Sequence, residues 1–66
     1  MDDRTVYINA ATGKTIKTLF QLVNKKVYDS CKCYGKFYCV IGVQTDIKDG
    51  YIERTLKVKE FPNNIT

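Results

Sequence analysis

The sequence predicts a small, mainly β fold of five strands, and three observations lead to it. Turn-forming residues recur about every 10 to 14 positions, at Ala11-Thr-Gly13, Asn24-Lys-Lys26, Tyr34-Gly-Lys36 and Asp49-Gly50, the punctuation expected of consecutive short strands. Between these turns apolar and polar residues alternate, most clearly on the two sides of Asp49-Gly50. The composition is that of a folded chain: 44% of the 66 residues are apolar, with five Tyr, three Phe and one Pro, outside the range of disordered sequences.

The strands are expected near residues 4 to 10, 14 to 23, 27 to 33, 37 to 47 and 51 to 61. Gly13 can take the left-handed conformation that closes a three-residue loop with a bulge. Ile8 then meets Ile16 and Val6 meets Thr18, and the same alternation adds Phe20 and Leu22 to that apolar face. The second segment has a rival reading, because Ile16, Leu19, Phe20, Val23 and Val27 also fall at helical spacing. Thr15, Thr18 and Asn24 weigh against a helix, as do Lys14 and Lys17 at what would be the positive end of its dipole. In the third turn a three-residue loop Tyr34-Gly35-Lys36 sets Cys33 opposite Phe37 and Cys31 opposite Cys39. Asp49-Gly50 suits a two-residue type I′ turn, in which both residues need positive φ. That loop pairs Ile47 with Ile52, Val43 with Leu56 and Ile41 with Val58, leaving Asp46 opposite Glu53 as a like-charge flaw.

Five such strands fit a small five-stranded antiparallel meander or a closed or partly open barrel of the SH3-like or OB-like kind. Curling the sheet lets a short chain share one core and hides strand edges. The alternative is an α+β arrangement, with residues 14 to 25 helical and packed on a four-stranded antiparallel sheet. A chain of this length buries only ~60% of its unfolded surface, so one domain spanning residues 1 to 66 is expected. Its longest uncharged runs, Thr5 to Gly13 and Phe37 to Thr45, are short of the ~20 residues a membrane span requires. Met1-Asp-Asp-Arg does not resemble the start of a signal peptide. Three cysteines cannot form a complete set of intrachain disulfides, which with the rest favours a cytoplasmic location.

The segment Asn24 to Cys39 gathers all three cysteines, four aromatic and four basic residues into 16 positions. As a metal site it offers Cys31-x-Cys33 and Cys39, with Asp29 as the one nearby fourth ligand and no histidine in the chain. Structural zinc usually takes four ligands with paired C-x₂-C spacing, so no metal and no other cofactor is expected. Reduced cysteines pack well as small hydrophobes, and the alternation turns Cys31, Cys33 and Cys39 inward together with Phe37. A Cys31 to Cys39 bridge would require disulfide geometry that sequence does not reveal.

The opposite face carries the functional expectation. The net charge is +4, and between Thr5 and Tyr28 stand Lys14, Lys17, Lys25 and Lys26 with no acid. Alternation groups Tyr28, Lys32, Tyr38, Lys57 and Lys59 on one surface, with Gly42 leaving room for a backbone to approach. Lys25 and Lys26 extend it from a turn, while Tyr34 and Lys36 project from a loop tip. Aromatic rings stack on bases and lysines pair with phosphates, so these nine side chains point to weakly selective nucleic-acid binding. Only Arg4 and Arg54 are available for bidentate reading of guanine.

Catalysis is not expected. Without histidine there is no Ser/His or Cys/His pair, and a thiol of Cys31 or Cys33 activated by Lys32 would lack a general acid and an oxyanion site. Gly13-Lys14-Thr15 ends like a phosphate-binding loop, but Ile8 stands where that motif needs its first glycine. A second functional class is a stand-alone protein-binding module or inhibitor of a host enzyme, of the kind that viruses and mobile elements encode. It would use Tyr28, Tyr34, Tyr38 and Tyr51 as anchors. Pairing of an open edge with a twin would make a homo-oligomer.

Overall fold

A computed structural model describes residues 3 to 61. Five strands form a single sheet: β1 (Arg4–Asn9), β2 (Thr15–Leu19), β3 (Ser30–Cys33), β4 (Lys36–Lys48) and β5 (Tyr51–Glu60). Their order is β2-β1-β5-β4-β3, and every neighbouring pair is antiparallel except β1 with β5, which run parallel. The sheet curls into a half-barrel, so the fold is mainly β with the SH3-like or OB-like character expected. A strict meander is not what forms: β2 and β3 lie at opposite edges, and the parallel β1/β5 contact joins the two ends of the chain. A 13-residue β4 at ~3.3 Å per residue accounts for most of the 47 Å long axis.

The central strand decides which face is buried. Leu56 and Val58 of β5 are fully enclosed, and Tyr7, Cys33, Tyr38 and Val40 pack around them with Ile16, Leu19 and Cys31 at the margin. Parallel pairing sets Tyr7 beside Leu56 and Thr5 beside Arg54, so the odd residues of β1 turn inward. This reverses the expected faces of that strand, since Val6 and Ile8 lie on the outer side, beside Thr55 and Lys57. Val6 does meet Thr18, but Ile8 meets Thr15, because Ile16 is an extra residue in β2. A second extra residue, Ile41, interrupts β4, so Val40 rather than Ile41 stands opposite Val58. Bulges of this kind raise local twist, and one on each side of the centre helps the sheet to curl.

Residues 20 to 29 run from one edge strand to the other without helix, so the α+β alternative does not occur among the described residues. The physical reason lies in two polar anchors. Thr5, fully buried, donates its hydroxyl to the Gln21 carbonyl at 2.7 Å and accepts the Val23 N–H at 3.0 Å. Arg54 Nη1 donates to the Val23 carbonyl at 3.1 Å and to Asn24 Oδ1 at 3.0 Å. Backbone groups that a helix would satisfy internally are met here by tertiary partners.

The turns set the registers. The first has four loop residues, closed by Gly13 N–H donating to Asn9 O at 2.7 Å and Asn9 N–H to Lys14 O at 2.9 Å, with Gly13 at φ +76°. At the Asp49-Gly50 turn only Gly50 has positive φ, the sign pattern of type II rather than type I′. The expected Ile47/Ile52, Val43/Leu56 and Asp46/Glu53 pairs all form. The third turn has two loop residues, not three: Tyr34 and Gly35 take φ +53° and +81°, both positive as in type I′, and Cys33 faces Lys36. One residue fewer in the loop moves the register by one and exchanges the faces of β4 at this end.

Candidate nucleic-acid interface

That one-residue change builds the outer face. Beginning at β5 and moving toward β3, cross-strand rows run Lys57, Gly42; Lys59, Cys39, Ser30; and Phe61, Phe37, Lys32. The last row is closed by Phe61 N–H donating to the Phe37 carbonyl at 2.9 Å. Phe37 is 58% and Phe61 45% exposed, and the Lys32 ammonium lies 5.4 Å from the centre of the Phe37 ring. These three rows contain no acid; the acids of this face, Asp46 and Glu53, stand opposite each other toward the far end of the β4/β5 hairpin.

Three of the nine expected contact residues, Lys32, Lys57 and Lys59, share this surface. Tyr38 does not. It is 6% exposed, pairs with Cys31 and belongs to the core, so its expected role is corrected, and Phe37 holds the outward position instead. Lys36 lies on the core side of the sheet, its Nζ 3.8 Å from a Glu60 carboxylate oxygen. Lys25, Lys26 and Tyr28 belong to the turn before β3. Asp29 N–H donates to the Lys26 carbonyl, the Lys26 N–H donates to Asp29 Oδ2, and Lys25 Nζ donates to the Ser30 carbonyl at 3.0 Å. Tyr28 N–H reaches the Val40 carbonyl at 2.7 Å, which sets this turn against the edge of β4. Tyr34 stands at the tip of the β3/β4 hairpin.

Phe37 and Phe61 were missed as a pair because the three-residue loop turned Phe37 inward. The signal that could have found them is Tyr34-Gly35 read as a two-residue loop, with Gly35 at a position that needs positive φ. The expectation for Gly42 also changes: a Cβ there would sit 3.6 Å from Lys57 Cβ, in ordinary contact, so the lysine stem already covers the position.

The thiols divide between the faces. Cys31 and Cys33 turn inward, whereas Cys39 shares the outer face with Lys59 and Ser30, correcting the expectation that all three point to the core. All three are unbridged, and among the described residues no His, Cys, Asp or Glu cluster is arranged to hold a metal ion. Burial pushes the Cys31 thiol above its ordinary value, and Cys33 adds to this through its charge and a hydrogen bond, partly offset by Lys25 and Lys17. A raised thiol is the opposite of an activated nucleophile. Tyr7 is also raised, first by burial and then by Cys31 and Cys33.

No family model, curated protein or solved structure matches this chain. Among the described residues no helix is long and apolar enough to cross a membrane.

Proposed function

We propose that this chain binds single-stranded nucleic acid with little sequence selectivity, through the outer face of β3, β4 and β5. The observation that carries the reading is the acid-free set of rows holding Lys32, Lys57 and Lys59 beside the exposed rings of Phe37 and Phe61. Lys57 and Lys59 alternate along β5, so their Cα atoms stand about 6.6 Å apart and line one side of a backbone track. The phenylalanine rings supply π-faces on which any base can stack, and the lysines pair with phosphates and release counterions. No arginine lies in these rows, so recognition through bidentate contacts to guanine is not part of the mechanism. The unbridged thiols suit a reducing compartment, and we place the activity in the cytoplasm on that ground.

The test is fluorescence anisotropy with a labelled single-stranded oligonucleotide. Phe37→Ala is expected to weaken binding by the ~1–3 kcal/mol of one stacked base while leaving the fold intact. Unchanged affinity in that variant counts against the reading.

A second reading rests on a different observation. Tyr28 and Tyr34 are non-glycine residues at φ +77° and +53°, and they are 84% and 79% exposed. Strain kept at two displayed aromatic side chains is a feature of contact sites, which favours a protein-binding module or inhibitor of a host enzyme. In that case Tyr34→Ala releases a protein captured by the chain, and added nucleic acid does not compete.

A further inference from the structure

We infer that two copies of this chain join edge to edge through β4, in antiparallel register about a two-fold axis at Thr45. β4 has backbone partners on its β3 side only as far as Val40, which donates to the Asp29 carbonyl and accepts from Tyr28 N–H. From Gly42 to Lys48 that edge meets no other strand among the described residues. Lys48 and Tyr51 close a two-residue loop and direct their polar groups at each other, so alternation aims those of Val43, Thr45 and Ile47 at the open edge. The segment has no proline, and its charges are confined to Asp46 and Lys48. Natural sheets rarely leave such an edge bare.

The occupant is identified by the fit of the edge to itself. The free stretch has Thr45 at its midpoint, so a second copy covers all of it only when the two-fold passes there. Val43 of each copy then stands opposite Ile47 of the other, Gln44 opposite Asp46, and Thr45 opposite its twin. Shifting the register one way sets Lys48 against Val40, whose edge groups are already bonded to residues 28 and 29. Shifting it the other way sets Asp46 against Asp46, a like-charge pair. The favoured register also continues the apolar side of the sheet, giving a cross-strand row of Ile52, Ile47, then Val43 and Leu56 of the other copy. Ile47, 86% exposed in a single chain, is covered by this arrangement. The Asp49-Gly50 turn of each copy comes in line with the turn before β3 of the other, the one that bonds to Val40. The two outer faces lie on one side of the joined sheet, although the pairing does not depend on what those faces bind.

Sedimentation equilibrium of the whole chain over a concentration series tests the pairing. The expected result is reversible association from 7.6 kDa to twice that mass, with a melting temperature that rises with concentration. Thr45→Pro removes an edge-facing N–H and keeps the backbone bonds to β5, losing there only the 3.3 Å bond that the Thr45 hydroxyl accepts from Arg54 Nε, and is expected to hold the chain at monomer mass with an unchanged circular-dichroism spectrum. Ile47→Lys, on a side chain exposed in the monomer, is expected to do the same without altering the backbone. Monomer mass at every concentration for the native chain overturns the inference, including the case in which the edge serves an extended segment of a different protein. A dimer that persists in Ile47→Lys overturns it as well.

Discussion

Thr5 shows how much one side chain organises at the scale of the residue. Its hydroxyl both donates and accepts across to the connector, and the residue is fully buried. Thr5→Val keeps the shape but leaves the Val23 N–H and the Gln21 carbonyl without this partner, an expected loss of about 2 kcal/mol in a urea melt. A loss below ~0.5 kcal/mol would mean that water replaces the hydroxyl at no cost. Sequence could not single this residue out, because a threonine beside Val6 and Ile8 reads as the solvent side of an alternating strand. Tyr34 is the opposite case, a residue whose local preference is overruled. Its φ of +53° costs a non-glycine residue ~1–2 kcal/mol, and asparagine tolerates that conformation better. Tyr34→Asn, giving the favoured Asn-Gly type I′ pair, is therefore expected to raise stability by roughly 0.5–1 kcal/mol. A lower melting temperature would show that the ring contributes packing that offsets the strain.

Among the elements, the β3/β4 hairpin carries both the thiols and the face exchange. The positions of β1, β4 and β5, the Asp46/Glu53 flaw and most of the long β4/β5 pairing were legible from alternation and from the Asp49-Gly50 turn, whereas β2 ends at Leu19, short of Phe20 and Leu22, and β3 starts only at Ser30. What alternation alone does not supply is the length of a loop, and Tyr34-Gly35 as two residues rather than three is enough to send Phe37 outward and Tyr38 inward. The bulge at Ile16 has no comparable marker, whereas the one at Ile41 is signalled by the adjacent Gly42, since an isolated glycine within a strand often marks a bulge. The buried side of the hairpin has a pH consequence. Cys31 and Tyr7 hold their protons more tightly when folded, so as pH rises past the ordinary thiol value of 9.0 the unfolded chain ionises first and binds fewer protons. Stability is then full below that value and declines above it. Urea midpoints are expected to fall between about pH 8 and about pH 10.5, and to fall less in Cys31→Ser, which removes the thiol's share. Equal declines in both proteins would assign the alkaline loss to other groups.

For the molecule as a whole, the least legible feature was the parallel contact between β1 and β5. It joins residues some fifty positions apart, and no local pattern announces such a pairing. Once formed, it makes β5 the central strand, fixes the inner face through Leu56 and Val58, and leaves Lys57, Lys59 and Phe61 outward. The separation of charge follows from that placement: three lysines in the acid-free rows of the outer surface, with Lys36 on the other side near Glu60. The salt dependence of oligonucleotide binding reads this separation most directly. Plotting log affinity against log salt concentration, three phosphate contacts on a single strand predict a slope near ~−2, made shallower by ~0.7 in Lys57→Gln and unchanged in Lys36→Gln. No binding at low salt, or an equal change of slope in both variants, would contradict the assignment of the outer face.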